Sequence, residues 1–127
     1  MKSGEWGEIE AEKVLMRKGY KILGHRVRIG SRDELDIVAR DGDILVFVEV
    51  KTRRSEAFGK PQDFVDRKKR HNMSRAAVRY LERLKFPRVC FRFDIVEVIG
   101  SEDDDVRPQI RHIEDAFELD AKYSLPY

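Results

Sequence analysis

Asp36, Glu49 and Lys51 are residue types, at spacings, that could support phosphodiester chemistry. The run Ile44 to Lys51 reads as a strand, so its side chains alternate between two faces. Ile44, Val46, Val48 and Val50 take one face, and Leu45, Phe47, Glu49 and Lys51 take the other. A second strand is predicted over Glu34 to Ala39. The link is Arg40-Asp41-Gly42-Asp43, in which Asp41-Gly42 is a strong hairpin signal. With those two as the loop, Arg40 pairs with Asp43, Val38 with Leu45 and Asp36 with Phe47. Asp36 then shares the face of Glu49 and lies diagonal to it, with Cβ atoms about 7 Å apart.

Carboxylates this close repel unless positive charge lies between them. Mg²⁺ or Mn²⁺ is the expected occupant, because both favour oxygen ligands. Cys90 is the only cysteine and the three histidines are scattered, so no zinc set is present. The expected shell is Asp36, Glu49, the Val50 carbonyl and water. A cation so held activates water and offsets phosphoryl charge, while Lys51 could stabilise the pentacovalent phosphate. The plain alternative is a solvated strand end with an ordinary ion pair.

Two further acidic residues flank this pattern. Glu8 lies at the rim of the apolar stripe of a predicted first helix, where it could reach over the sheet edge or remain a surface charge; Glu12 lies further out. Glu34 falls directly across from Glu49 in the expected register, where like charges destabilise. It either joins the metal environment or is compensated by Arg28 or Arg32.

Charge is unevenly distributed along the chain. The net formal charge is only +2, yet Lys51 to Arg92 carries 14 basic and 4 acidic residues, and Ser101 to Tyr127 carries 3 and 8. A basic middle suits an anionic polymer, although a helix facing water can also be basic. Arg53, Lys68, Lys69 and Arg75 are the candidates for phosphate contact, which would position a nucleic acid without reading its sequence. Lys69 interrupts an apolar stripe of Val65, Met73 and Ala76. Its ammonium either snorkels to water or reaches the carboxylates or a phosphate. Asp94, inside an apolar strand, needs a partner; an amide cap or Arg92 could serve, and a metal role is the lesser reading. A structural hydrogen bond is expected of His112.

The elements that must position these groups fit one domain over residues 1–119 with a tail over 120–127. They are a helix from Glu5 to Lys18 stopped by Gly19, strands at 20–29, 34–39 and 44–51, and a long helix from Pro61 to Lys85. A strand at 89–99, a short one at 110–113, a helical turn or two at 114–119 and a fraying end complete the chain. This is an α/β arrangement, a mixed central sheet flanked by helices. No run approaches membrane-spanning length and the first residues lack a signal peptide's apolar core, so a cytoplasmic location is expected.

In order along the chain stand Gly7-Glu8 with Ala11, Gly19-Tyr20, Asp33-Glu34-Leu35-Asp36-Ile37-Val38-Ala39 and Val46-Phe47-Val48-Glu49-Val50-Lys51-Thr52-Arg53. They continue with Phe58-Gly59-Lys60-Pro61, Ala76-Ala77, Arg92-Phe93-Asp94 and His112-Ile113. On these landmarks the chain resembles the bacterial UPF0102 (YraN-like) family, within the PD-(D/E)xK nuclease superfamily. It departs at Asp33, where the family usually has glycine. The resemblance implies a restriction-endonuclease-like core and kinship with archaeal Holliday-junction resolvases, which cut branched DNA as dimers using Mg²⁺. It assigns catalysis to Glu8, Asp36, Glu49 and Lys51. The function so implied is a metal-dependent endonuclease acting on DNA, branched or structured DNA included, with a homodimer as the expected partner state; the alternative is a non-catalytic nucleic-acid-binding protein of the same fold.

Overall fold

The computed structural model describes residues 3–55 and 65–126. Helix α1 (Ser3–Arg17) is followed by strands β1 (Lys21–Ile29), β2 (Asp33–Asp41) and β3 (Ile44–Arg53). Helix α2 (Arg67–Arg83) leads to β4 (Phe91–Ile99) and β5 (Gln109–Phe117). The strands form one sheet in the order β1-β2-β3-β4-β5, antiparallel except for the parallel β3–β4 pair that α2 connects. The expected mixed central sheet flanked by helices is what the chain forms, consistent with a restriction-endonuclease-like α/β fold.

Each helix covers one face of the sheet. Trp6, Ala11 and Leu15 of α1 pack on Ile37, Ala39, Val46, Val48, Val96 and Val98. Met73, Ala76, Ala77 and Leu81 of α2 pack on Leu35, Val38, Leu45, Phe47 and Phe93. The central strand β3 is therefore buried on both sides, and its apolar run reflects that. Both helices end in the same way. Gly19, at φ +92°, closes α1 as Tyr20 N donates to Leu15 O at 3.0 Å and Gly19 N to Met16 O at 3.0 Å. Lys85, at φ +62°, takes glycine's place after α2, with Phe86 N donating to Leu81 O at 2.8 Å.

The hairpin turns one residue later than expected. Its loop is Gly42-Asp43, with Gly42 at φ +59°, and Asp41 pairs with Ile44, Val38 with Phe47 and Ile37 with Val48. Gly42 takes the first loop position because type I′ and II′ turns need positive φ there. The displacement in pairing is two residues, an even number, so the paired residues from Ile37 to Asp41 keep their expected faces. Leu35, however, packs on α2 beside Val38 rather than with Ile37, so the alternation breaks across Asp36.

Three other expectations change. The start of α2 is set by Asp66, whose side chain accepts from Lys69 N at 2.8 Å; Val65 is buried just ahead of the cap. The expected helix start at Pro61, and the Phe58-Gly59-Lys60-Pro61 landmark, lie outside the described residues. The helical turns expected at 114–119 are not formed, because β5 continues to Phe117. There a sheet irregularity and Asp115 at φ +52° let Phe117 pair with Phe93. Pairing with a central strand outweighs weak local helix preference. The end expected to fray is held on α2 instead. Asp120 Oδ2 lies 2.9 Å from His71 Nδ1, Asp120 N donates to Ser74 Oγ at 2.9 Å, and the Tyr123 hydroxyl is 3.2 Å from His71 Nε2.

Candidate carboxylate–lysine site

The site forms where β2 and β3 part. Their described pairing ends at Ile37 and Val48, and beyond it the Asp36 carboxylate takes the amide that a strand carbonyl would take. Val50 N donates to Asp36 Oδ2 at 2.9 Å. This bond seats Asp36 within reach of the charge on Glu49. Glu34, expected across from Glu49, instead pairs with Arg28 of β1, whose guanidinium is 3.6 Å away. The Gly42-Asp43 loop is the cause, since it moves every β2 partner along by two.

Glu49 is buried, and two ammonium groups face the same oxygen. Lys69 Nζ lies 3.3 Å and Lys51 Nζ 3.7 Å from Glu49 Oε1. Lys51 comes from the same strand face, as the two-residue alternation requires. Lys69 comes from the first turn of α2, and of its two readings the one reaching the carboxylates holds. Asp36 is less well compensated. Burial, and then repulsion from Glu49, push its carboxyl up to about 7, with Glu8 adding to the rise; the Val50 amide and Lys69 act the other way.

Glu8 arrives from α1. Helix and sheet approach so closely here that a Cβ on Gly7 would sit 2.0 Å from Thr52 Oγ1; only glycine allows α1 to lie on the end of β3. The Glu8 carboxylate is gripped by Arg26, with Nε and Nη2 each at 3.0 Å. Arg26 was not among the residues singled out from sequence. It stands on β1 at φ +46°, and no alternation pattern identifies a strand residue with that backbone. Glu97 is a second omission. The parallel register pairs it with Lys51, on the face of Glu49, and it is buried 3.7 Å from Arg111 Nη1.

The donor set fits a hard divalent cation. Asp36 and Glu49 offer carboxylate oxygens on adjoining strands, and Asp36 is the less compensated of the two. Among the described residues, no group of three or more His, Cys, Asp or Glu is gathered as a metal site. Mg²⁺ commonly takes one or two carboxylates and keeps several waters, so two carboxylates suffice. Val50, whose carbonyl was the expected third oxygen, contributes its amide to Asp36. Cleft size does not mark this site. A cleft of about 710 Å³ lies between α1 and the loop before β5 and holds none of these carboxylates, whereas Glu8 borders one of about 310 Å³ beside Arg26.

The four candidate phosphate-contacting residues separate. Lys68 is exposed beside Lys69, Arg53 is half-buried at the end of β3, and Lys69 is engaged by Glu49. The Arg75 guanidinium is clamped by Asp33, with Nε 2.8 Å from Oδ2 and Nη2 2.7 Å from Oδ1. Hydrogen bonding from Arg75 holds Asp33 below the usual carboxylate range, although burial opposes it. Asp33 thus ties β2 to α2, and its backbone needs no positive φ.

Asp94 is a structural hub. It accepts from Arg92 Nε at 2.9 Å and Asp115 N at 3.0 Å, and His112 Nε2 lies 2.7 Å from its other oxygen. This is the amide cap and Arg92 pairing expected for it, and the structural bond expected for His112. No described helix is long and apolar enough to cross a membrane.

Known proteins align with most of this chain. A UPF0102 protein of Geotalea daltonii is 42% identical over 116 residues, covering 91% of this chain and 89% of its own length. One of Symbiobacterium thermophilum is 43% identical over 114 residues, covering 90% and 94%. A third, from Chlorobaculum tepidum, is 40% identical over 124 residues, covering 92% and 95%. Residues 7–98, which include Glu8, Asp36, Glu49, Lys51 and Lys69, match the family described as "Uncharacterised protein family UPF0102", and the chain belongs to that family.

Proposed function

We propose that this protein binds nucleic acid, DNA above all, along the face where the first turn of α2 meets the end of β3. The observation that carries this reading is the contact between Lys69 and Glu49 at 3.3 Å. It brings a basic helix onto the carboxylate site, with Arg67, Lys68 and Arg70 exposed around it. Such charges contact phosphates and give binding that is independent of sequence and steeply dependent on salt. Fluorescence anisotropy of labelled duplexes of unrelated sequence, titrated from low to moderate salt, tests it. A slope of log affinity against log salt near zero would remove nucleic acid from the reading.

Phosphodiester hydrolysis is the second reading, and the poorly compensated Asp36 favours it. Asp36 and Glu49 would hold Mg²⁺ or Mn²⁺, which supplies water activation and charge neutralisation when bound. Lys51 would hold its ammonium against the phosphate, and Glu8, through Arg26, would border the site from α1. Single-turnover assays on duplex, nicked and four-way-junction DNA with Mg²⁺ or Mn²⁺ decide between the readings. Cleavage that falls about 10²-fold in Lys51→Ala establishes an endonuclease. Binding without cleavage by the wild type leaves a non-catalytic protein. A junction cut symmetrically needs two sites, hence a homodimer, which analytical ultracentrifugation would detect.

A further inference from the structure

The two lysines at Glu49 are not equivalent. Both ammonium groups address Oε1 of a carboxylate whose side chain is only 6% exposed. Lys51 projects from the face of β3 that carries Glu49, so it belongs to the site whatever else binds. Lys69 reaches in from α2. Its backbone is pinned by the Asp66 cap at 2.8 Å, whereas its side chain is 37% exposed. It can therefore turn outward by rotation about side-chain bonds alone, with no movement of the helix, and there it joins the exposed Arg67, Lys68 and Arg70.

Charge balance gives a reason for it to turn. When ionised, Glu8, Asp36 and Glu49 carry three negative charges; Arg26 serves Glu8 and also Glu5, 3.6 Å away, which leaves Lys51 and Lys69 as the cations at Glu49. A divalent cation shared by Asp36 and Glu49 would add two positive charges. The ammonium group free to leave is that of Lys69, and like charges a few ångströms apart in a poorly solvated site repel strongly.

We propose that Lys69 is an internal counterion that neutralises Glu49 in the cation-free protein and is displaced onto a nucleic-acid phosphate when a divalent cation takes its place. The inference rests on the nucleic-acid reading above and adds a coupling to it. A cation that frees Lys69 raises DNA affinity, and by linkage DNA raises cation affinity by the same factor. Lys69 is a positioning residue here, acting through Glu49. A lysine that merely packs its stem on the helix would give no such coupling.

The test uses the full chain as wild type, Lys69→Gln and Lys69→Arg. Mg²⁺ alone is titrated calorimetrically into each. Binding of a labelled duplex is then measured by anisotropy at matched ionic strength, with EDTA or with Mg²⁺, and the duplex is checked for integrity afterwards. Lys69→Gln should bind Mg²⁺ at least threefold more tightly than wild type. Mg²⁺ should strengthen wild-type DNA binding at least threefold and steepen its salt slope by about one phosphate contact. Lys69→Gln should show neither change, and Lys69→Arg should keep both. The proposal is overturned if Lys69→Gln binds Mg²⁺ no more tightly, or retains the wild-type gain in DNA affinity. If the wild type binds no DNA in either buffer, the nucleic-acid reading fails and the displaced state with it. Tighter Mg²⁺ binding by Lys69→Gln would then still support the counterion.

Discussion

Asp36 accepts the amide hydrogen of Val50 at 2.9 Å, which seats its carboxylate against the backbone between Glu49 and Lys51. This bond orients a carboxyl group that burial, Glu49 and Glu8 push up to about 7. Between the unfolded value of 3.8 and about 7, the folded chain keeps a proton that the unfolded chain has released. Stability from this group is therefore full at low pH and lost as pH rises through that window.

Asp36→Asn removes the effect while keeping an acceptor for the Val50 amide. Urea denaturation in EDTA should show the variant more stable than wild type at pH 8, by about 1 kcal/mol or more, with the gain vanishing towards pH 4. A pH-independent difference would contradict this account of Asp36.

Cation binding should depend on both strands. Calorimetric titration with Mn²⁺ at pH 8 should show binding weakened at least about 10-fold in Asp36→Ala and in Glu49→Ala, since each removes one of only two carboxylates in the donor set. Wild-type affinity should also fall below pH 7, as the Asp36 proton competes with the ion. Unchanged Mn²⁺ binding in Asp36→Ala would remove the site.

Lys68 and Arg75 should respond oppositely. Arg75→Ala leaves the buried Asp33 carboxylate unpaired and should cost about 3 kcal/mol of stability, read from the shift in urea midpoint. Lys68→Ala should leave that midpoint within about 0.5 kcal/mol and weaken DNA binding about equally on unrelated duplexes, lowering the salt slope by about one. Were Lys68→Ala to destabilise the fold as much as Arg75→Ala, the division between clamp and contact would be wrong.

Asp94 should matter to folding rather than to ligands. Burial pushes its carboxyl up, but the bonds from His112, Arg92 and the Asp115 amide outweigh that and hold it below the usual range. Its stabilisation is present above the unfolded value and lost as pH falls through the lower folded one. Asp94→Ala removes the carboxylate shared by Arg92, His112 and the Asp115 amide and should cost about 3 kcal/mol at pH 7, while the Mn²⁺ affinity of the folded protein stays within a few-fold. A large loss of Mn²⁺ affinity with intact stability would reassign Asp94 to the metal.

Alternation along Ile44 to Lys51 was enough to put Glu49 and Lys51 on one face, because the strand period is two whatever lies around it. The hairpin signal brings Asp36 close to Glu49 as well, and because the displacement in pairing is even, the paired residues of β2 keep their expected faces. The two helices were legible from their apolar stripes, and the end of the first from Gly19. Contacts between elements distant in sequence were not legible. No pattern within β1 announces that Arg26 holds Glu8, since that depends on a positive φ and on α1 lying against Thr52 through Gly7. The commitment of Arg75 to Asp33 and the extension of β5 to Phe117 likewise arise only once the sheet is assembled. Local periodicity decides which way a side chain faces; which charge it meets is decided by how elements pack, and the Lys69–Glu49 contact exists only because α2 lies on the sheet face that carries Phe47.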